Sequence, residues 1–330
     1  MGDVVWRWLA VGIGLALSAG AAMAHDVHLA QGGTAAGVAR GAVDRRALSA
    51  PARNSLFSCQ FAAMGDALRR PWVDADGSIR LAAKPVVPGR IDWAGRLEVM
   101  RRGERIEIMG NGLPRHATGR FPVDPASEAA RWDRNPNTIR ERRLAFSLPA
   151  EPKVAAQPTC LGGGPIGIAL SGVVFFNALD ADRRDALANE LQDACGGHVD
   201  PHGIYHYHHG SPCLETGDPR AHSPVVGYAF DGFAIHGPRD AGGQRITNAE
   251  LDECHGHVGP APQPDGGTRT VYHYHLNDEF PYTLGCFKCA VEQARLRPQG
   301  PPGGMGPGGM GPGGPGPGLG PPPRRPPPPQ

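Results

Sequence analysis

Four short segments in the middle of the chain occur twice, in the same order. They pair as 167–172 with 227–232, 195–198 with 254–257, 205–208 with 272–275, and Cys213 with Cys286. The offset grows from 60 residues in the first pair to 73 in the last, as insertions into loops of the second copy would produce. A repeat of fixed order indicates that each copy is one supersecondary unit. We therefore expect two related modules, at about residues 164–213 (the first module) and 225–289 (the second module).

Each module begins with a pattern typical of a β-hairpin. Residues 166–170 and 173–176 flank Ser171-Gly172, and residues 228–230 and 233–235 flank Asp231-Gly232. Glycine tolerates the positive φ that such tight turns require. Residues 180–194 follow as a short helix, capped by Asp180 or Asp182. The pattern predicts a β-rich fold, all-β or α+β, with an internal duplication and a short helix near 180–194.

The two ends of the chain are expected to lie outside this domain. Residues 1–24 carry an apolar run too short to span a bilayer, followed by Ala22-Met23-Ala24, which is typical of a signal peptide and its cleavage site. Residues 25–54 are interpreted as a flexible linker and residues 297–330, which are rich in proline and glycine, as a disordered tail. We expect a domain at 55–296, a periplasmic or secreted location, and no stable membrane anchor after processing.

Charge and cysteine content limit the expected binding partners and indicate disulfide bonds. The chain has 33 Lys and Arg against 32 Asp and Glu, so nucleic acid is not an expected partner, and a small-molecule or protein partner stays unknown. Seven cysteines in an exported chain indicate disulfides with at least one thiol left over. We predict disulfides that staple each module, Cys195–Cys213 and Cys254–Cys286. Cross pairing and a Cys286–Cys289 link stay open, because spacing does not determine connectivity.

Eleven of the fourteen histidines lie between positions 198 and 275. Side chains alternate faces along a strand, so His206 and His208 point the same way, as do His273 and His275. A third imidazole, His198 or His257, would complete a set of three in each module. Imidazole suits both zinc and copper, so we predict a transition-metal site, Zn or Cu, built from His198, His206, His208, His257, His273 and His275.

Two arrangements are compatible with this set. Each module holds one ion, or the two modules share one composite site. Asp200 and Asp252 flank the histidine turns and are candidates to orient an imidazole or to act as a general base. His116 lies on a turn before the repeat, from which it could reach the site. His202, His209, His222, His236 and His255 are not expected to be ligands.

From residue 111 to residue 286 the chain resembles the YHYH-domain family of secreted proteins. The segments that carry the resemblance are 111–116, 164–172, 195–198, 205–208, 227–232, 251–254, 256–257 and 272–275. The resemblance implies export and a shared domain, and it implies no particular reaction. His236 stands where the family usually has an aromatic residue, so it is not carried over as a ligand.

Three functions fit these features. The first is metal binding without catalysis, which requires a closed set of ligands. The second is a zinc- or copper-dependent metalloenzyme, which requires an open coordination position and a neighbouring acid or base. The third is an extracellular interaction domain whose histidines are structural.

Overall fold

The computed structural model describes residues 38–41, 47–60, 68–214 and 217–291. The predicted signal peptide and the predicted tail lie outside the described residues. Within them, no helix is long and apolar enough to cross a membrane. The strands are β1 (Val38–Arg40), β2 (Ala47–Leu48), β3 (Leu56–Phe57), β4 (Ser78–Arg80), β5 (Leu97–Arg102), β6 (Arg105–Gly110), β7 (Leu144–Pro149), β8 (Pro165–Ala169), β9 (Val174–Phe176), β10 (Gly197–Val199), β11 (Tyr205–Tyr207), β12 (Val225–Ala229), β13 (Ala234–His236), β14 (Gly256–Pro262) and β15 (Thr268–His275).

Helical structure is sparse in this part of the chain. The helix α1 (Ala186–Asn189) is a single turn, and two 3-10 turns lie at Leu81–Ala83 and Ala129–Arg131. The β-rich prediction is therefore confirmed.

Both modules lie in one eight-stranded sheet with the order β10-β11-β9-β8-β12-β13-β15-β14. The first module supplies the first four strands and the second module the last four. The two predicted hairpins form as β8–β9 and β12–β13. In each half the strand that carries Tyr-His-Tyr lies parallel to the second hairpin strand, β11 against β9 and β15 against β13.

Strands β8 and β12 join the two halves at the centre of the sheet. They pair antiparallel, with Gly227 opposite Ala169, Tyr228 opposite Ile168, and Ala229 opposite Gly167. These are the segments that correspond in the two modules, with Gly167 matching Gly227 and Ala169 matching Ala229. The register therefore places a local twofold axis between Ile168 and Tyr228.

Tyrosines from the two Tyr-His-Tyr-His segments lie in the core, on the face of their strands opposite to the histidines. Tyr205, Tyr207 and Tyr274 are at most 1 % exposed. Because the histidines on the other face are almost all buried as well, neither face of the two Tyr-His-Tyr-His segments is turned to solvent. A separate antiparallel sheet, β5-β6-β7, precedes the modules, and Phe146 of β7 packs against Phe230.

The helix predicted over 180–194 is far shorter than expected. Asp180 accepts hydrogen bonds from the backbone and guanidinium of Arg184, and Arg183 has a φ of 61°. A helix cannot run through this turn, because a residue in the left-handed backbone conformation cannot be part of a right-handed helix. Asp185, and not Asp180 or Asp182, is the N-cap, accepting from the backbone N–H groups of Leu187 and Ala188.

Within residues 25–54, which we interpret as a flexible linker, residues 38–41 lie against the domain. Strand β1 pairs with β4, Ala39 is buried, and the backbone N–H of Arg40 donates to the carbonyl of Asp278. Small residues such as Ala39 carry little side-chain signal for burial, and the edge of β4 provides the backbone partners that order this segment.

A cavity of about 240 Å³ lies between the segments that follow β11 and β15. Lys84, His209, Leu276 and Tyr282 are among the residues that line it, and none of the six predicted ligands does. The cavity is therefore distinct from the histidine clusters described next.

Candidate metal centres

The first module brings His198, His206 and His208 together in one buried cluster, which we call the first trio. The Nε2 atom of His208 lies 3.1 Å from the Nε2 atoms of both His206 and His198. All three residues are at most 4 % exposed. Antiparallel pairing sets His198 of β10 directly opposite His206 of β11, which accounts for the contact between residues eight positions apart.

The second module brings His257, His273 and His275 together in the same way, as the second trio. The Nε2 atom of His273 lies 3.1 Å from that of His257 and 3.0 Å from that of His275. His257 of β14 lies opposite His273 of β15. His273 and His275 are fully buried, whereas His257 is partly exposed.

The two trios are separate. Every ring contact among these six imidazoles in the described part of the chain lies within one trio. A single composite site built from all six rings is therefore not what the structure contains.

Backbone carbonyls fix the orientation of the imidazoles. The Nδ1 atoms of His206 and His273 donate to the carbonyls of Ile204 and Val271, each at 3.0 Å. His275 Nδ1 donates to the carbonyl of Gly237 at 2.7 Å, and His208 Nδ1 to that of Asn177. A carbonyl only accepts, so the proton must reside on Nδ1 and the neutral ring presents an unprotonated Nε2.

This tautomer leaves lone pairs facing one another. In each trio two such Nε2 atoms, those of His206 and His208 or those of His273 and His275, stand 3.0–3.1 Å apart. Two acceptors at that distance repel unless a cation lies between them. A shared proton is disfavoured, because burial lowers the pKa of His208 to about 4 and that of His273 to about 3.

The separations fit a metal ion. A tetrahedral ion with ligand distances of about 2.0–2.1 Å holds its ligand atoms about 3.3 Å apart. The Nε2–Nε2 distances of 3.0–3.1 Å in the two trios are close to that value. Groups able to hold a metal ion include the first trio, and His222 with His273 and His275.

Three further groups lie near the trios: Glu190, which the sequence did not indicate, and His222 and His236, which were not expected to be ligands. Glu190 Oε2 lies 3.4 Å from the Nε2 atoms of His198 and His208. His222 Nε2 lies 3.3 Å from His273 Nε2. His236, the counterpart of Phe176 in the first module, is fully buried beside His273, and its Nε2 has no hydrogen-bond partner. Glu190 was assigned to a helix and His222 lies in a loop, so neither strand periodicity nor the repeat indicated them.

The candidate residues Asp200 and Asp252 do not contact an imidazole of either trio. Asp200 accepts from the backbone N–H groups of His202 and Ile204. Asp252 accepts from the backbone of Cys254 and Gly256 and from the Tyr272 hydroxyl, and it forms an ion pair with Lys288. Both carboxylates stabilise turns, because their oxygens accept hydrogen bonds from backbone N–H groups of the same turn.

Other histidines are held away from the trios. His116 Nε2 pairs with the hydroxyl of Tyr207, on the face of β11 opposite to the first trio, so it does not reach the site. His255 pairs with Asn248 and Asn277. His202 is exposed.

A glycine precedes the histidine of β10 and of β14 for a steric reason. A Cβ atom on Gly197 would overlap the phenol ring of Tyr205, and one on Gly256 would overlap that of Tyr272. Each tyrosine donates its hydroxyl to an aspartate of the same turn, Tyr205 to Asp193 and Tyr272 to Asp252. The glycine before each histidine is therefore needed to make room for the tyrosine ring.

Disulfides close both modules. Cys195 is bonded to Cys213, and Cys254 to Cys286, which are the two pairs expected from the sequence. A third bond joins Cys59 to Cys160, and Cys289 is free. Three disulfides are consistent with a protein of an oxidising compartment.

We expect acid to destabilise the metal-free protein through the trios. Burial lowers the folded-state pKa of His208 to about 4, while an unfolded histidine titrates near 6.5, so the unfolded chain binds more protons between these values. The contribution of a neutral His208 to the free energy of unfolding is fully present above about pH 6.5 and is lost as the pH falls toward about 4. At pH 5 His208 alone should lower the free energy of unfolding by about 2 kcal/mol.

Urea unfolding at pH 7 and pH 5 measures this effect. His208→Gln, which cannot take up a proton in this range, is the comparison. The loss of stability between the two pH values should be about 2 kcal/mol larger in the unaltered chain. Equal losses in the two proteins would contradict the assignment of a depressed pKa to His208.

Neither a curated protein nor a solved structure matches the chain. A family model described as YHYH protein matches residues 145–247, which include the first trio and the start of the second module. This match confirms, over these residues, the resemblance to the YHYH family seen in the sequence.

Proposed function

We propose that this protein is an exported transition-metal-binding protein in which each module binds one ion, zinc or copper. The observation that carries the proposal is the convergence of imidazole Nε2 atoms in two trios, with two Nε2–Nε2 distances of 3.0–3.1 Å in each. In each trio a buried pair, His206 with His208 or His273 with His275, presents unprotonated Nε2 atoms. His198, His206 and His208 would hold one ion, and His257, His273 and His275 the other. Imidazole nitrogen is a ligand for both metals.

Two observations support the internal duplication as part of this proposal. The strand order of the first four strands is mirrored in the last four. The antiparallel register of β8 and β12 is also symmetric about Ile168 and Tyr228. Two equivalent halves therefore account for two equivalent trios.

Export is supported by the signal-like sequence at 1–24 and by the three disulfides. In an oxidising compartment these bonds persist, whereas cytosolic reductants would keep the thiols free. We infer a periplasmic or secreted location from this combination.

Binding without catalysis is favoured over a metalloenzyme. A hydrolytic site needs a general acid or base within hydrogen-bond reach of the reacting group. The two carboxylates that the sequence suggested for this role, Asp200 and Asp252, are engaged in turns away from the imidazoles. No observation among the described residues favours the interaction-domain alternative.

Elemental analysis of the untagged protein tests the proposal. We expect about two zinc or copper ions per chain after purification without chelators or dialysis against either metal. Less than about 0.3 ion per chain under both conditions would contradict metal binding. A protein reduced and unfolded before dialysis is the control for nonspecific uptake by exposed histidines and cysteines.

A further inference from the structure

In the first module a carboxylate oxygen faces the imidazole trio. Glu190 Oε2 lies 3.4 Å from the Nε2 atoms of both His198 and His208. Together with the Nε2–Nε2 distances of 3.1 Å, these separations are close to the edges of about 3.3 Å in a tetrahedral set of ligands. Glu190 Oε2 thus stands where a fourth ligand would be.

The surroundings of Glu190 Oε2 favour binding of a cation at this oxygen. Oε2 is buried and has no hydrogen-bond partner. A buried carboxylate oxygen without a partner is costly, so a positive charge at this place would remove a penalty that the fold otherwise retains. Among the described residues, only the imidazoles of His198 and His208 lie near Glu190 Oε2 as polar neighbours.

The backbone at Glu190 is fixed by its neighbours. Its N–H donates to the carbonyl of Ala186, which closes the single turn of α1. Lys84, a buried lysine, donates through Nζ to the carbonyl of Leu187 and to the side chain of Gln192 on either side of Glu190. The short helix therefore positions the carboxylate toward the trio.

In the second module an imidazole takes the place of the carboxylate. His222 Nε2 lies 3.3 Å from His273 Nε2, and its Nδ1 donates to the carbonyl of Ser223 at 2.7 Å. This is the same tautomer as in the trios, with the lone pair of Nε2 directed at the cluster. His222, His273 and His275 together form a group able to hold a metal ion.

The second module does not offer a carboxylate at the corresponding position. Glu250 follows Glu190 by 60 residues, the offset of the hairpins. It is exposed, and its Oε2 accepts from the backbone and hydroxyl of Thr247. The two halves thus differ in the group that completes the ligand set.

We propose that each trio takes a fourth protein ligand and that the two ligands differ, Glu190 in the first module and His222 in the second. This inference rests on the proposed function. It makes the first site a closed set of three nitrogens and one oxygen, with one negative charge against a divalent ion, and the second an all-imidazole set without charge. Carboxylate with imidazole suits zinc, while an all-nitrogen set suits copper.

Copper(II) serves as the spectroscopic probe for both sites. The variant His273→Ala with His275→Ala isolates the first site, and His206→Ala with His208→Ala isolates the second. Pulsed electron paramagnetic resonance on each copper-loaded protein counts the coordinated imidazoles. We expect about three coordinated imidazoles in the first site and about four in the second. Equal counts at the two sites would overturn the assignment.

Single substitutions identify the fourth ligands in the otherwise unaltered chain. Glu190→Gln should weaken binding at the first site on the order of 100-fold and leave the second unchanged, and His222→Ala should do the reverse. Glu250→Gln and His202→Ala are the matched controls, because they remove an exposed carboxylate and an exposed imidazole.

The outcomes separate the two proposals. Suppose that both sites bind copper, but Glu190→Gln has the same copper affinity as its control Glu250→Gln, and His222→Ala the same as its control His202→Ala. The fourth-ligand assignment is then wrong, while metal binding stands. If neither site binds zinc or copper, the proposed function itself fails. Should Glu190→Gln fail to fold, as near-ultraviolet circular dichroism would show, the imidazole counts decide the assignment.

Discussion

Replacing His206 and His208 together by alanine is expected to remove about half of the bound metal and to leave the rest as tightly held as before. The reason is that the described imidazoles form two trios with no ring contact between them. The double substitution leaves His198 as the only imidazole of the first trio. One imidazole with one carboxylate does not retain an ion against dilution, whereas the second trio is untouched.

Metal content by mass spectrometry, after dialysis against a weak chelator, measures this result. The mirror-image variant, His273→Ala with His275→Ala, should also keep about half. A matched control is His202→Ala with His209→Ala, which removes two imidazoles from the same stretch of chain but from outside the trio. Loss of nearly all metal in the His206 and His208 variant would show a shared site and would contradict the separation of the trios.

Removal of the Cys59–Cys160 disulfide should destabilise the domain most among its three cross-links. The bond joins residues 101 positions apart, against 18 for Cys195–Cys213 and 32 for Cys254–Cys286. A cross-link restricts the unfolded chain more when it closes a longer loop, which gives about 4–5 kcal/mol for the first bond and about 3 kcal/mol for the second.

The native contacts around this bond support a large effect. Cys59 N–H donates to the carbonyl of Leu161, and Leu161 N–H donates to that of Phe57. Leu161 is fully buried, so the disulfide holds the segment around Cys59 against the segment that leads into the first module. Without the bond this pairing must form between distant parts of an open chain.

Urea unfolding of the double serine variants compares the three bonds under non-reducing conditions. The order of destabilisation should follow loop length, with Cys59→Ser and Cys160→Ser at the top. Cys289→Ser is the control, because this thiol is free, and it should change the free energy of unfolding by less than about 0.5 kcal/mol. A loss of under about 1 kcal/mol for the Cys59 and Cys160 pair would contradict the loop-length argument.

Much of the site was predictable because strand geometry is periodic. The alternation of Tyr and His in 205–208 and 272–275 placed each histidine pair on one face, and the structure brings each pair to Nε2–Nε2 distances of 3.0–3.1 Å. The Gly-rich turns of the two hairpins were equally readable, since Gly172 and Gly232 both adopt a positive φ.

The parts that escaped prediction depend on contacts that no local pattern records. Glu190 faces the first trio only because residues 180–185 form a turn instead of a helix, so that α1 begins at Ala186. His222 approaches His273 from 51 positions away. Residues 38–41 are ordered by the edge of β4 and by the carbonyl of Asp278, and their own sequence carries no apolar alternation.

The symmetric pairing of β8 with β12 also bears on how such a molecule could arise. Since Gly167 faces Ala229 and Ala169 faces Gly227, two separate copies of one half would meet along this strand in the same register across a true twofold axis. A shorter ancestor that paired with a second copy of itself along this strand would have carried two identical imidazole trios. Fusion into one chain allows the two halves to differ in sequence, as they do where Glu190 lies beside the first trio and His222 beside the second.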